Sequence, residues 1–385
     1  MSLFERFLNK SNSYVYYKNN FEKLNASQKK IIKENNSLKA SERKLKEENN
    51  YLKSILSENN KQIEELLIKL AIYSKQDIFN KLINNSYSEL TICIKSPNPK
   101  KQRIWGDYFF ALALKKSFEK HGFNVIIQER EDWYDSNVKP DINIVLRGLI
   151  EYKPNRDEIN VMWNISHPDL VTDEEYESYD ICFISSEKYA NELNDKLNTP
   201  IKPLLQCTDP DVFYFSKQDD IAEDVLFVGI TRGVYREIIK DMMKTDFDVS
   251  IYGTGWEQYV NEKYIKGQFI PNEKVHEYYS SCKILLNDHW EDMRDLDFPS
   301  NRLFDALACG TFVISDKIPS AETLFEGNVI TYENAEDLNE QIKYYLSHDE
   351  ERRMIAEKGK EIVLKNHTFD NRVDTIIDSL KNLLI

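Results

Sequence analysis

Apolar residues recur every seven positions through the first fifth of the chain. Between Phe21 and Tyr73 the sequence holds no glycine and no proline, and Lys, Glu, Asn and Leu dominate it. A long apolar repeat of this period is typical of a coiled coil, in which one residue of each heptad forms the d layer. The pattern therefore predicts a coiled coil over residues 21–75, with d positions Leu24, Ile31, Leu38, Leu45, Leu52, Asn59, Leu66 and Tyr73.

The a positions of the same heptads indicate how the helix would pair. They are polar through the first half, at Gln28, Asn35, Glu42 and Asn49. Asn at a favours a parallel dimer, although a Glu there weakens it. We predict a parallel dimer of a rod roughly 80 Å long, with one amphipathic helix docked on a globular domain as the alternative. Residues 1–20 are expected to form a frayed tail, with contact to a membrane surface as the alternative.

After Tyr73 the pattern changes to short apolar runs separated by helical spacers, which is typical of βαβ units in a parallel sheet. The chain then divides into residues 88–215, residues 216–370 and a C-terminal helix, 371–385. Strands of the first series are predicted at "LTICIK", "FNVIIQ", "DINIVLRG", "INVMWNIS" and "DICFISS", with "DYFFALALKKSFEKHG" as a helix. Strands of the second series are predicted at "DVLFVGI", "FDVSIYGTG", "KILLND" and "TFVISD". The predicted fold class is α/β, with two tandem Rossmann-like domains and a cleft between them, preceded by the coiled coil.

Charge and composition exclude several classes of function. A net charge of −14 argues against non-specific binding to nucleic acid. The five cysteines are widely spaced and form no CxxC pair, so we expect reduced, buried thiols. No window reaches the length of a membrane span, and the N-terminus lacks a signal-peptide core. The expected location is cytoplasmic, with peripheral association at the inner face of the membrane as an alternative.

The first turn of the second series, "FVGITRGVYREII", is a candidate anion site. A predicted strand ends at Gly229, and Arg232 and Arg236 follow in the loop and at the start of a helix. Backbone N–H groups at a helix start and fixed guanidinium groups together suit a diphosphate. The stretch is neither a P-loop nor a GxGxxG loop. Surface arginines on a helix are the alternative.

The stretch "DFPSNRLFDALACGTFVISD" places two carboxylates around a helix start. Pro299 stiffens the turn, and Ser300 with Asn301 can cap the helix that follows. Asp305, one turn into the helix, could accept two hydrogen bonds from a ribose diol. Asp297 precedes the turn on the side of the cleft. A pair of surface acids is the alternative.

This stretch resembles the E-x7-E signature of retaining GT-B glycosyltransferases of the group-1, family-4 type, with aspartate at both acidic positions. The continuation "ALACGTFVISD" matches closely, and "SAETLFEGNVITYENAEDLNEQIKYYLSHDEERRMIAEKGKEIVLKNHTFDNRV" is similar to the C-terminal half of these enzymes. The CgeB-like branch is the most similar. The resemblance covers about residues 90 to 380 and excludes the heptads.

The resemblance implies roles for particular residues. Asp305 matches the acid that binds the nucleotide ribose, and Asp297 the acid that contacts the hydroxyls of the transferred sugar. His167, in "WNISHPD", matches a histidine beside the reacting centre; a structural histidine before proline is the alternative. The other implied donor-site residues are Ser300, Asn301, Arg302 and Leu303 in the turn facing the diphosphate, Arg232 and Arg236 as its basic pair, and Gly106, Asp107, Gly229 and Gly253 in the loops around it.

The function that the resemblance implies is sugar transfer from a UDP- or GDP-sugar to a glycan, glycolipid or protein acceptor, with retention of configuration. Such a transfer would serve bacterial surface polysaccharide or glycoconjugate synthesis. No metal is expected, because no Asp-x-Asp motif stands at a strand end and no His/Cys ligand cluster is visible in the sequence. Two alternatives stay open: a non-catalytic coiled-coil assembly protein with a degenerate GT-B site, and a GT-B glycerophosphotransferase.

Overall fold

The structure is a computed structural model that describes residues 3–102, 105–135, 137–155 and 157–383, with side chains from residue 15 onwards except that of residue 102. Residues 1–2 of the predicted N-terminal segment and 384–385 of the predicted C-terminal helix lie outside the described residues. The chain forms two compact units, one ending at Leu70 and one beginning at Ala71. No helix in the described ranges is both long enough and apolar enough to cross a membrane.

The first unit is part of a single long helix, α1, Leu3–Ile83. From residue 21 to residue 70 every side chain of this helix is exposed. The predicted d-position leucines are among them, with Leu24 69% and Leu38 66% exposed. The absence of Gly and Pro explains the unbroken helix, because those two residues carry the largest penalties inside one. The partner of the apolar stripe stays a prediction.

The end of α1 has a different environment from the stripe, because its last turns belong to the second unit. The helix continues past the predicted end at residue 75. Lys75 Nζ lies 2.5 Å from Asp180 Oδ1. Ile78, Phe79 and Leu82 are buried in the core of the first α/β domain.

The second unit contains two parallel six-stranded sheets, as the apolar runs predict. The first sheet has the order β2-β1-β3-β4-β5-β6 and the second β12-β11-β10-β7-β8-β9. Strands of the first sheet are β1 Thr91–Lys95, β2 Asn124–Gln128, β3 Ile142–Arg147, β4 Ile159–Asn164, β5 Ile181–Ile184 and β6 Ile201–Pro203; those of the second are β7 Val225–Val228, β8 Ser250–Tyr252, β9 Ile265–Gly267, β10 Ile284–Asn287, β11 Val313–Asp316 and β12 Ile330–Tyr332.

Helices cover both sheets. They are α2 Gly106–Lys120, α3 Asp173–Tyr176, α4 Glu187–Asn194, α5 Glu237–Met242, α6 Asn272–Ser281, α7 Glu291–Asp295, α8 Asn301–Ala308, α9 Ala321–Leu324, α10 Ala335–Ser347, α11 Asp349–Asn366 and α12 Phe369–Lys381. The apolar face of α12 lies in the core of the first domain, although it follows the second domain in the chain. Thr208 and Thr368 pair where the chain passes between the domains, so α12 ties the two domains together.

The position of α1 in the first domain can be tested with neighbouring substitutions. Leu82 is fully buried and Ile83 is 58% exposed. Leu82→Ala should lower the free energy of unfolding by about 2–5 kcal/mol, because it leaves a cavity in the core. Ile83→Ala is the matched control and should change it by less than about 0.5 kcal/mol. Urea denaturation of both variants measures the difference. If both substitutions changed the free energy of unfolding by the same small amount, the end of α1 would not be packed in the core of the first domain.

Candidate functional site

The strand order places a crevice between the two domains. In the second sheet the order reverses between β7 and β10, and in the first between β1 and β3. Ligands of doubly wound folds bind beyond the carboxyl ends of the strands at such reversals. The predicted site residues Gly229, Arg232 and Ser300 follow β7 and β10, and Gly106 follows β1.

Three arginines converge at the reversal in the second domain. A Cβ on Gly229 would lie 2.8 Å from Arg236 Nη1 and 3.1 Å from Arg302 Nη2, so the missing side chain makes room for both guanidiniums. Arg236 is buried and forms a bidentate pair with Asp288, in which Nε to Oδ2 is 3.0 Å. Arg302 Nη1 donates to the neutral Asn287 Oδ1 at 3.0 Å.

The charges of these arginines are only partly neutralised. Among the described residues no carboxylate lies within 4.0 Å of the guanidinium of Arg232 or of Arg302. Burial lowers the pKa of Arg232 and of Arg236, and the charge of Arg302 lowers both further. Each guanidinium therefore raises the cost of charging its neighbours. An anion at this point would remove that cost, and a dianion would match two unpaired guanidiniums.

Gly253 fixes the loop that carries Gly229. Its φ is +153°, and a Cβ there would lie 2.1 Å from Gly229 O. Trp256 Nε1 donates to the same oxygen at 2.8 Å. Close approach of two backbones thus explains why a glycine is required at residue 253.

The turn before α8 is held mainly by its own domain. Ser300 N donates to His289 Nε2 at 3.0 Å, and His289 Nδ1 lies 2.6 Å from Asp316 Oδ1. Leu303 N donates to Ser300 O at 3.1 Å, and the Leu303 side chain is buried in the core. Of the four residues predicted to face a diphosphate, Asn301 and Arg302 are therefore the two whose amides stay available at the helix start.

Asp305 is buried next to the chain crossing between the domains. Its Oδ1 accepts from Thr208 Oγ1 at 2.8 Å, and its Oδ2 accepts from Asn301 Nδ2 at 2.6 Å. Burial raises its pKa to about 8. Asp305, Asn301 and Gly106 line a cavity of 270 Å³ whose walls include Phe109 and Phe369. Each oxygen of the carboxyl group has a further lone pair, so the group could still accept a hydrogen bond from a diol in the cavity.

Asp297 is fixed differently. It is buried, with φ +62°, and its Oδ1 accepts from Ser320 N at 2.9 Å and from Ser320 Oγ at 2.7 Å. These bonds fix the loop after β11. Its contact with the sugar stays a prediction.

His167 lies at the crevice edge of the first domain, directly beyond β4. It has φ +51° before Pro168. Its Nδ1 is 3.6 Å from Asp292 Oδ2 of the second domain, and its ring centre is 5.2 Å from that of Trp290. Burial lowers the pKa of His167, which favours the neutral imidazole that a proton acceptor needs.

Asp169 completes a group that the sequence did not reveal. The nearest ligand atoms of His167, Asp169 and Asp292 all lie within 4.8 Å of one another, a spacing that could hold a metal ion. Burial, and next Asp169, raises the pKa of Asp292 to about 6. The sequence search for ligand clusters missed this group because its members come from both domains.

The first-domain loop presents Gly106 and Asp107 at the start of α2. Gly106 is exposed, and a Cβ there would meet no atom within 4 Å. Packing therefore does not require a glycine at this position. Burial raises the pKa of Asp107 to about 6.

Sequence reasoning overlooked Trp290 and Asp292. Both stand in "HWEDM", directly after the predicted strand "KILLND". An aromatic and acidic residues beyond a strand at the reversal are a usable signal, because that edge of the sheet faces the crevice.

Comparison with a protein family covers most of the second domain. Residues 232–378 match the model of a family described as glycosyl transferase-like. No curated protein sequence matches significantly.

Solved structures match both α/β domains and cover 76% of this chain. Sucrose-phosphate synthase of Thermosynechococcus elongatus aligns over 99% of its chain with a TM-score of 0.56 and 11% identity. HepE of Anabaena, solved with UDP and glucose, aligns over 100% of its chain with a TM-score of 0.56 and 11% identity. An α-glucosyltransferase, solved with UDP-glucose and DNA containing an abasic site, aligns over 100% of its chain with a TM-score of 0.57 and 14% identity. These likenesses confirm the predicted fold of two Rossmann-like domains.

The buried carboxyl of Asp305 gives a pH test of the site. Its pKa is raised from 3.8 to about 8, so the stability that its proton provides is complete below pH 4 and is lost as the pH rises through 8. Asp305→Asn lacks this titration. As the pH rises through that window, the free energy of unfolding of the variant should therefore increase relative to that of the wild type, by at most about 1.4 kcal/mol per pH unit. Urea denaturation at several pH values measures the gap. Parallel stability curves for the two proteins would contradict a buried, protonated Asp305.

Proposed function

We propose that the chain is a GT-B glycosyltransferase that transfers a sugar from a nucleoside diphosphate sugar. Residues 232–378 match the model of a glycosyl transferase-like family, and the two α/β domains share the GT-B fold. The observation that carries the proposal is the pair of guanidiniums of Arg232 and Arg302 near the strand-order reversal, which have no carboxylate within 4.0 Å in the part of the chain that the structure describes. The diphosphate of the donor supplies the negative charge that they lack.

The same positive charge would also act on the reaction. When the bond between the sugar and the diphosphate breaks, negative charge develops on the leaving oxygen. Fixed guanidiniums stabilise this charge without reorganising, and such electrostatic stabilisation is worth several kcal/mol in enzymes. Asp305 lies where a ribose diol could donate to it, and His167 lies across the crevice on the first domain.

The donor nucleotide proposed for the first test is UDP. HepE and the α-glucosyltransferase, which share the fold, were solved with UDP or UDP-glucose. GDP is the second candidate. The acceptor proposed is a glycan, glycolipid or protein, and retention of configuration is proposed on the resemblance to the E-x7-E enzymes.

The proposed transfer needs no metal, because the arginines offer the charge that a divalent ion would otherwise bring to the diphosphate. The group of His167, Asp169 and Asp292 has a spacing that could hold a metal ion, so the need for a metal should be tested directly. Binding and transfer are therefore best measured in EDTA first, and then with added manganese or magnesium.

Calorimetric titration with UDP, GDP, CDP and ADP in EDTA tests the proposed donor site. We expect one nucleotide to bind. Arg302→Gln should weaken that binding about 10- to 100-fold, since a hydrogen bond to a charged group is worth about 1.5–3 kcal/mol. Arg353→Gln, at an exposed arginine paired with Asp349, is the matched control and should bind as the wild type does.

Two results would contradict the proposal. One is that none of the four nucleotides binds, with or without metal. The other is that Arg302→Gln and Arg353→Gln bind equally well. Binding that requires manganese or magnesium would contradict the metal-free form of the proposal and would direct attention to His167, Asp169 and Asp292.

A second copy of the chain is the partner proposed for the heptad stripe of α1. A monomer leaves the stripe in water, and each Leu or Ile that becomes buried at a d position is worth about 1.5–3 kcal/mol. Asn35 and Asn49, at a positions, favour a parallel pair of helices, because each can bond its own mate. The dimer would place two transferase units in one particle.

Light scattering at micromolar concentration tests this pairing. The wild type should be a dimer, and the double variant Leu38→Ser with Leu45→Ser should be a monomer that still binds nucleotide. Lys44→Ser, at an outward c position, should stay dimeric. A monomeric wild type, or a double variant that remains a dimer, would show that the stripe does not pair in this way.

A further inference from the structure

A short segment of the second domain packs into the first. Residues 290–298 connect β10 to α8, yet Met293 and Phe298 are buried in a hydrophobic cluster with first-domain residues such as Val145 and Met162. Ser186 Oγ of the first domain donates to Leu296 O at 2.7 Å. The first domain therefore sets the position of this segment, which we call the bridging segment.

Trp290 begins the bridging segment and contacts two candidate site residues. The guanidinium carbon of Arg232 lies 4.3 Å from the centre of its indole ring. The same indole contacts the imidazole of His167, with ring centres 5.2 Å apart and planes inclined at 60°. One side chain thus connects a donor-site residue of the second domain with a candidate catalytic residue of the first.

Stacking on a ring orients a guanidinium without using its hydrogen bonds. The five N–H donors lie in the plane of the group, so a ring against its face leaves all of them available. Arg232 also has φ +60° and, among the described residues, no carboxylate within reach. The indole is therefore the contact that holds its long side chain in one place before an anion arrives, which lowers the entropy lost on binding.

We propose that Trp290 is a positioning residue for donor binding: it holds the guanidinium of Arg232 in the orientation that receives the diphosphate, and the bridging segment holds Trp290. This inference rests on the proposed function, because it assumes a nucleoside diphosphate at Arg232. It also means that the donor site of the second domain is completed by packing against the first.

A double-mutant cycle tests the coupling of Trp290 to Arg232. The probe is whichever of UDP, GDP, CDP and ADP binds the wild type most tightly, and the readout is its dissociation constant by calorimetry. Trp290→Ala should weaken binding about 3- to 30-fold, the range expected when a partly buried cation–π contact is lost. In an Arg232→Ala background the same substitution should have no further effect, because the group it orients is gone.

Two further variants separate positioning from packing. Trp290→Phe keeps a ring under the guanidinium and should restore affinity to within about 3-fold of the wild type. Leu296→Ala removes a partly buried side chain from the same bridging segment without touching Arg232 or His167. It should lower the melting temperature and weaken binding less than Trp290→Ala does, because the indole beside Arg232 is kept.

The outcomes distinguish the two proposals. If Trp290→Ala weakens binding equally with and without Arg232, or if Leu296→Ala weakens it as much, the positioning role is wrong while the donor site stands. If the wild type binds no nucleotide, the proposed function fails, and this inference fails with it.

Discussion

Positive charge without a carboxylate partner is the constraint on which the arrangement of the crevice depends. Arg232, Arg236 and Arg302 meet at the strand-order reversal of the second sheet, and within the described ranges only Arg236 has an acidic partner, Asp288. Burying like charges together is costly. The surrounding structure holds them in place: Gly229 leaves room for two guanidiniums, and the guanidinium carbon of the third lies 4.3 Å from the centre of the Trp290 indole ring.

Contacts between the two α/β domains stabilise the crevice around these arginines. Asp305 of the second domain accepts a hydrogen bond from Thr208 at the chain crossing. The bridging segment and α12 each leave the second domain to pack in a first-domain core. These three connections would suit the proposed transfer, in which donor and acceptor meet between two domains, because each fixes the position of a residue or loop at the crevice.

The sequence predicted most of the sheets because their central strands are apolar runs. All nine strands proposed from such runs are present, from "LTICIK" to "TFVISD". The three strands that were missed, β6, β9 and β12, are each three residues long and lie at sheet edges. Edge strands are buried on fewer sides and include residues such as Lys202 and Lys266, so no apolar run marks them.

The residues of the candidate site likewise fall into those that the sequence could indicate and those that it could not. Local motifs indicated the residues after β7 and before α8, because a glycine, arginines and a capped helix start are neighbours in the sequence. The contacts of His167 with Trp290 and Asp292 connect residues far apart in the chain, and only the packing of the two domains brings them together. The length of α1 beyond residue 75 was missed for a similar reason, since its last turns are stabilised by the core that buries Leu82.

A crystal structure with a bound UDP-sugar would test the central claim most directly. The account predicts a diphosphate whose oxygens lie within hydrogen-bonding distance of the Arg232 and Arg302 guanidiniums and of the first amides of α8, with the ribose at Asp305. A UDP-sugar bound elsewhere on the protein, with these arginines still unpaired, would contradict it.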